Sequence, residues 1–163
     1  MLRSSRTLIW GIAMKKFVLA ATLAAAASLA TASAADLSCY SPADSEAEQA
    51  LLFQTNLMVI SSACRDTTYG EFRARNKDAI VRYQNAMIEH FRHTGARNPK
   101  SAFDTWQTSL ANEIAQKQAL TPTAQFCQQS AEMLKLASTL DQKAYHDYVA
   151  THVIDGSHPK CAK

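Results

Sequence analysis

Residues 44–64 read DSEAEQALLFQTNLMVISSAC, and the spacing of their apolar side chains decides the fold. Leu51, Thr55, Met58 and Ser62 form one stripe at helical spacing, and Phe53, Leu57, Ile60 and Cys64 form a second. Apolar residues three and four apart, with no alternation of period two, predict a helix and not a strand. A helix that is apolar on more than one side must be surrounded, so this one is predicted to lie at the centre of the domain.

The same spacing continues outward along the chain. A second helix is expected from Thr68-Tyr69-Gly70-Glu71, read as a capping box, with Phe72, Ala79, Ile80, Tyr83, Met87 and Phe91 facing inward and a stop at Gly95. A third starts at Asn98-Pro99, a cap followed by a proline at the first helical position, and turns Phe103, Trp106, Leu110 and Ile114 to the core. A fourth starts at Thr121-Pro122 by the same signal and carries Phe126, Cys127, Ala131, Leu134 and Ala137. Residues 141–152, with Tyr145, Tyr148 and Val149, form either a fifth helix or a continuation of the fourth past Ser138-Thr139; Gly156 and Pro159 end regular structure. Short connections make neighbours antiparallel, so the expected fold is all-α, an up-and-down bundle of four to five helices.

The N-terminus reads as an export signal. Met14 is followed by Lys15 and Lys16, then by an apolar run from Phe17 to Ala30, then by Ala32-Ser33-Ala34 with small residues where signal peptidase needs them. Met14 is the expected true start, residues 1–34 the signal peptide, and residues 35–163 one helical domain. The apolar run of fourteen residues is short of the roughly 20 that a spanning helix needs, so no membrane anchor is expected after cleavage. Asp36 spoils a lipid-anchor motif at Cys39, and Arg3 and Arg6 are not the adjacent pair of a twin-arginine signal. The expected location is the periplasm or beyond. Cleavage removes four of the 17 Lys and Arg and none of the 14 Asp and Glu, so the net charge falls from +3 to −1. A near-neutral exported chain has no field to draw in nucleic acid, which excludes that class of partner.

Four cysteines in an exported chain predict two disulfides, with three connectivities to choose from. A straight helix of twenty residues holds its ends about 30 Å apart. The five residues from Cys39 to the helix start retrace only about 17 Å, so Cys39 cannot reach Cys64. In an up-and-down order Cys64 and Cys127 lie at the same end, which favours Cys64–Cys127 with Cys39–Cys161 tying the two tails together. No Cys-x-x-Cys motif is present to suggest redox or metal chemistry instead.

Phe53-Gln54-Thr55-Asn56-Leu57-Met58-Val59 leading to Cys64, then Tyr69-Gly70-Glu71-Phe72, Leu110-Ala111-Asn112-Glu113 and Phe126-Cys127, resemble a group of small exported helical proteins of proteobacteria with no assigned function. The resemblance runs from Leu51 to Ala137. It implies a four-cysteine helical fold and no activity.

Several constellations bear on chemistry. His152, Asp155, His158 and Cys161 recur every three residues with His146 upstream, a set able to hold copper or zinc if one helix aligned it. Gly156 and Pro159 break that helix, so the expected reading is a solvated tail. His90 and His93 near the end of the second helix are explained by the helix dipole as a surface cap. No Cys-x-x-Cys-His motif supports haem, and Met58 and Met87 read as core. Arg73, Arg75, Lys77 and Arg82 offer a basic face to an anionic glycan or an acidic partner, but Glu71–Arg75 and Asp78–Arg82 at i, i+4 read as helix-supporting pairs. Leu120-Thr121-Pro122-Thr123-Ala124-Gln125 approaches the Leu-Thr-x-x-Gln signature of small periplasmic chaperones, with its glutamine one residue late. No Gly-x-Ser-x-Gly, His-Glu-x-x-His or glycine-rich phosphate loop is present. No catalytic, cofactor-binding or metal residue is therefore assigned, and no cofactor is expected.

The leading expectation is a non-enzymatic role in binding or supporting an unidentified protein or envelope component. A small enzyme predicts a concave pocket where groups such as Tyr69, Asn112 or Glu113 converge. A metal carrier predicts His152, Asp155 and His158 in one coordination sphere, and a chaperone predicts a contiguous exposed apolar patch.

Overall fold

Ser41 and Asp44 start the central helix two residues earlier than its apolar spacing reveals. The Ser41 N–H donates to Asp44 Oδ2 at 2.9 Å, and the Asp44 N–H donates to Ser41 Oγ at 3.2 Å. This reciprocal capping box, with Pro42 at the first helical position, opens α1 (Pro42–Cys64). The computed structural model describes residues 39–152 and 158–161 of the chain. The expected signal peptide at 1–34 and residues Asp155 and Gly156 of the tail lie outside them.

Among the described residues six further helices follow: α2 (Thr68–Arg75), α3 (Lys77–His93), α4 (Pro99–Ala119), α5 (Thr123–Gln129), α6 (Ala131–Thr139) and α7 (Gln142–Thr151). The fold is all-α, and α1 packs against each of the other six. Among the described residues the one extended pairing is a bridge between Tyr40 and Lys160.

Seven helices replace the four to five expected because two long segments are interrupted and the last is separate. Asn76 divides the second segment. Its side-chain amide donates to Phe72 O within its own helix and to Leu140 O, each at 3.0 Å, and it is completely buried. Serving both carbonyls takes its backbone out of helical geometry, to φ −108° and ψ 16°. Ser130 divides the fourth segment into α5 and α6. The extended backbone of Leu140 ends α6, and Asp141 caps α7 by accepting the Ala144 N–H at 2.8 Å.

Two start signals sit differently from the expected frame. Thr67, not Thr68, is the cap of α2; its hydroxyl donates to Glu71 Oε1 at 3.0 Å, while Asp66 Oδ1 accepts the Thr68 N–H at 2.7 Å. Pro122 is itself the cap of α5, with no side-chain bond from Thr121. The Asn98-Pro99 start holds, with Asn98 Oδ1 accepting the Ser101 N–H at 3.1 Å.

Burial divides into two clusters along α1. The larger gathers Phe53, Leu57, Phe72, Ile80, Tyr145 and Val149; the smaller, nearer the chain termini, gathers Tyr40, Ala47, Leu51, Met87 and Phe103. Tyr145 is wholly enclosed, edge-on to Phe72 at 4.9 Å, and its hydroxyl donates to Ala50 O at 2.6 Å. On α4, Phe103 is buried but Trp106, Leu110 and Ile114 are half-buried, so that helix faces the core deeply in its first half alone. In the fourth segment Ala137 is buried as expected, Phe126, Cys127 and Leu134 are half-buried, and Ala131 is exposed.

Both expected disulfides are present. Cys64–Cys127 joins the C-terminal end of α1 to α5 with the Cα atoms 5.6 Å apart, and Cys39–Cys161 joins the tails at 4.8 Å. The tail bond is flanked by backbone pairing, with Tyr40 N–H donating to Pro159 O at 2.8 Å and Cys161 N–H to Tyr40 O at 3.2 Å.

Candidate functional site

A cleft of about 390 Å³ opens where α1, α2, α3 and α4 meet. Each helix reaches it with residues spaced to share one face: Gln54 and Met58 from α1, Tyr69 and Arg73 from α2, Gln84 from α3, and Thr108 and Asn112 beside Gln107 from α4. The cleft is lined mainly by neutral polar groups, and among the described residues Arg73 is the one charged side chain on its wall.

Its hydrogen bonding is unusual. Thr55 and Thr108 spend their hydroxyls on the helix behind them, donating to Leu51 O at 2.7 Å and Asp104 O at 2.8 Å. The other polar side chains of the wall form no hydrogen bond or ion pair with any described residue. Gln54 is the extreme case, because it is 5% exposed and its Oε1 is buried with no partner. A buried amide oxygen left unbonded costs roughly 1 to 3 kcal/mol. Native interiors pair such groups almost without exception; among the described residues the other such atom is Asn76 Oδ1, at the break between α2 and α3 and away from the cleft, so it is Gln54's place on the cleft wall that sets it apart.

The opposite arrangement holds at the terminal end of α1, where three acidic residues each meet a histidine. Asp44 Oδ2 lies 3.4 Å from His90 Nδ1, Glu46 Oε1 lies 2.8 Å from His146 Nδ1, and Glu48 Oε1 lies 2.9 Å from His158 Nε2. The Tyr83 hydroxyl donates to Glu46 Oε1 at 3.1 Å. The Tyr40 ring stacks on His158 at 4.0 Å and leans on His90 at 4.2 Å. Burial first, and then the carboxylates of Glu48 and Asp44, push the Tyr40 phenol up to about 12. Burial and Glu46 push Tyr83 up as well.

These positions resolve the sequence-based candidates. His90 is buried against Asp44 and Tyr40, so it is not a surface cap; exposed His93 does pair with Glu89, at 2.9 Å. His158 pairs with Glu48, His152 turns back to Tyr148 O at 2.7 Å, and Cys161 is in a disulfide, so these three have separate partners. Asp155 lies outside the described residues. Among the described residues no three His, Cys, Asp or Glu side chains group as a metal site.

Of the basic residues on the second segment, Arg75 lies 4.0 Å from Glu71 and also donates to Ala137 O and Ser138 O, closing the C-terminal end of α6. Asp78 and Arg82 form no ion pair among the described residues, and Arg73 lines the cleft. Tyr69 and Asn112 converge there as an enzyme site would require, while Glu113 does not and pairs instead with Lys117 at 2.7 Å. Large exposed apolar residues among those described are Val81 on α3 and Leu120, the residue just after α4.

Gln54, Gln84 and Gln107 carry the cleft and went unassigned from the sequence. The available signal was Gln54 itself: an amide in mid-helix, on a helix apolar on several sides, has nowhere solvated to point. Among the described residues no helix is long and apolar enough to cross a membrane. The two disulfides fit an oxidising compartment. Compared with known protein families, curated proteins and solved structures, the chain matches none.

Proposed function

We propose that this is an exported, periplasmic protein with a non-enzymatic binding role, and that the cleft between α1, α2, α3 and α4 is where it binds a small molecule. The observation that supports the reading is the unpartnered Gln54 amide, held buried at the wall of a cleft whose other uncommitted polar side chains are free to take a ligand. The wall favours binding over catalysis. It presents no carboxylate, imidazole or thiol, and both threonine hydroxyls are already donated to carbonyls, so no nucleophile is paired with a base. Export is supported by the signal pattern from Met14 to Ala34, by the two disulfides and by the resemblance to small exported four-cysteine proteins. Native mass spectrometry of the protein from its own periplasm tests both halves. An N-terminus at Ala35 and a small molecule carried by the wild type but lost from Gln54→Met are expected. Intact Met14 on the recovered protein, or a bound molecule unaffected by Gln54→Met, would overturn the corresponding half.

A further inference from the structure

Resting on the reading of the cleft as a binding site, we propose that its ligands are small organic anions carrying neutral hydroxyl groups, the chemistry of sugar acids and hydroxycarboxylates. Arg73 supplies the anionic specificity. Its guanidinium is the one charged group on the wall and is free of any carboxylate among the described residues, so its planar fork is available for a bidentate carboxylate. Gln54 supplies the demand for a donor: its Oε1 is enclosed and unbonded as the side chain stands, and a turn of the terminal amide would bring it to the cleft, where a ligand hydroxyl could donate to it.

A ligand ammonium is the poorer donor, because no acidic side chain on the wall offsets a second positive charge beside Arg73. Gln84, Gln107 and Asn112 each bring an amide with both donors and an acceptor, the pairing that adjacent hydroxyls require. Met58 and the Tyr69 ring provide apolar surface for the carbon skeleton. The volume, about 390 Å³, falls at the small end of ligand pockets, which run from roughly 300 to 1,000 Å³.

Calorimetric titration of the whole exported protein with D-galacturonate, D-gluconate and L-tartrate tests the proposal, with D-galactose lacking the charge and acetate lacking the hydroxyls. At least one of the three acids should bind, at least tenfold more tightly than either control. Arg73→Gln, an exposed substitution, should weaken that acid tenfold or more without changing the melting temperature, and Gln54→Met should weaken it while raising the melting temperature. Failure of all three acids, or unchanged binding in Arg73→Gln, overturns the ligand class. Galactose binding as tightly as galacturonate, with both lost in Gln54→Met, also overturns the anionic class but leaves the cleft as the binding site. Binding that survives Gln54→Met removes the cleft itself.

Discussion

The first turns of α1 and its middle treat polar side chains in opposite ways. Near the termini, Asp44, Glu46 and Glu48 each find a histidine from a different part of the chain, and Tyr83 adds a further bond. One to three turns further on, Gln54 is buried with an unbonded oxygen and shares the wall of a cleft with Arg73 and three more uncommitted amides. One helix contributes to both regions, so the difference is not a general looseness of packing. The contrast between paired and uncommitted polar groups along one helix is what the proposed binding role rests on.

The largest effects should come from breaking the packed side. Truncating Tyr145 to Ala removes a fully enclosed ring and its bond to Ala50 O, and should cost about 3 to 5 kcal/mol in urea unfolding. Cys64→Ser with Cys127→Ser opens a loop of sequence separation 63 and should cost around 4 kcal/mol on the chain-entropy model, with helical circular dichroism retained. Next in size, Asp44→Ala removes the carboxylate half of the α1 capping box, which accepts from the Ser41 N–H and hydroxyl, together with the partner of buried His90, and a loss of about 1 to 3 kcal/mol is expected.

An alkaline titration sharpens the comparison from the paired side. The folded state holds the Tyr40 proton up to about 12, whereas the unfolded phenol ionises near 10. The folded state therefore binds the proton more tightly; stability from this group is complete below about pH 10 and falls as pH rises from there towards 12. Tyr83 and Tyr145 shift in the same direction through burial. The share of the tyrosinate absorbance that Tyr40→Phe, Tyr83→Phe and Tyr145→Phe remove should rise together with the loss of helix, not before it. At the cleft, by contrast, Gln107→Ala and Asn112→Ala remove groups without protein partners and should change stability by less than about 0.5 kcal/mol.

What the sequence made legible follows from how local each cause is. Two apolar stripes on one stretch suffice to place α1 at the centre, and helix length alone removes the Cys39–Cys64 pairing. The break at Asn76 depends on Leu140 O, contributed from the other end of the domain, and nothing near Asn76 announces it. His90 likewise looks like a helix-end cation until Tyr40 and Asp44 close over it. The cleft assembles from four helices, and its residues are ordinary surface types individually; their meaning lies in being brought together without partners.

The most direct measurement is the unfolding free energy of Gln54→Met. Exchanging an unpartnered buried amide for an apolar side chain of similar length should stabilise the protein by about 1 kcal/mol or more, because the orphaned oxygen is removed. A loss of about 1 kcal/mol or more would mean that the amide is satisfied within the fold, and would contradict its role as an open binding group.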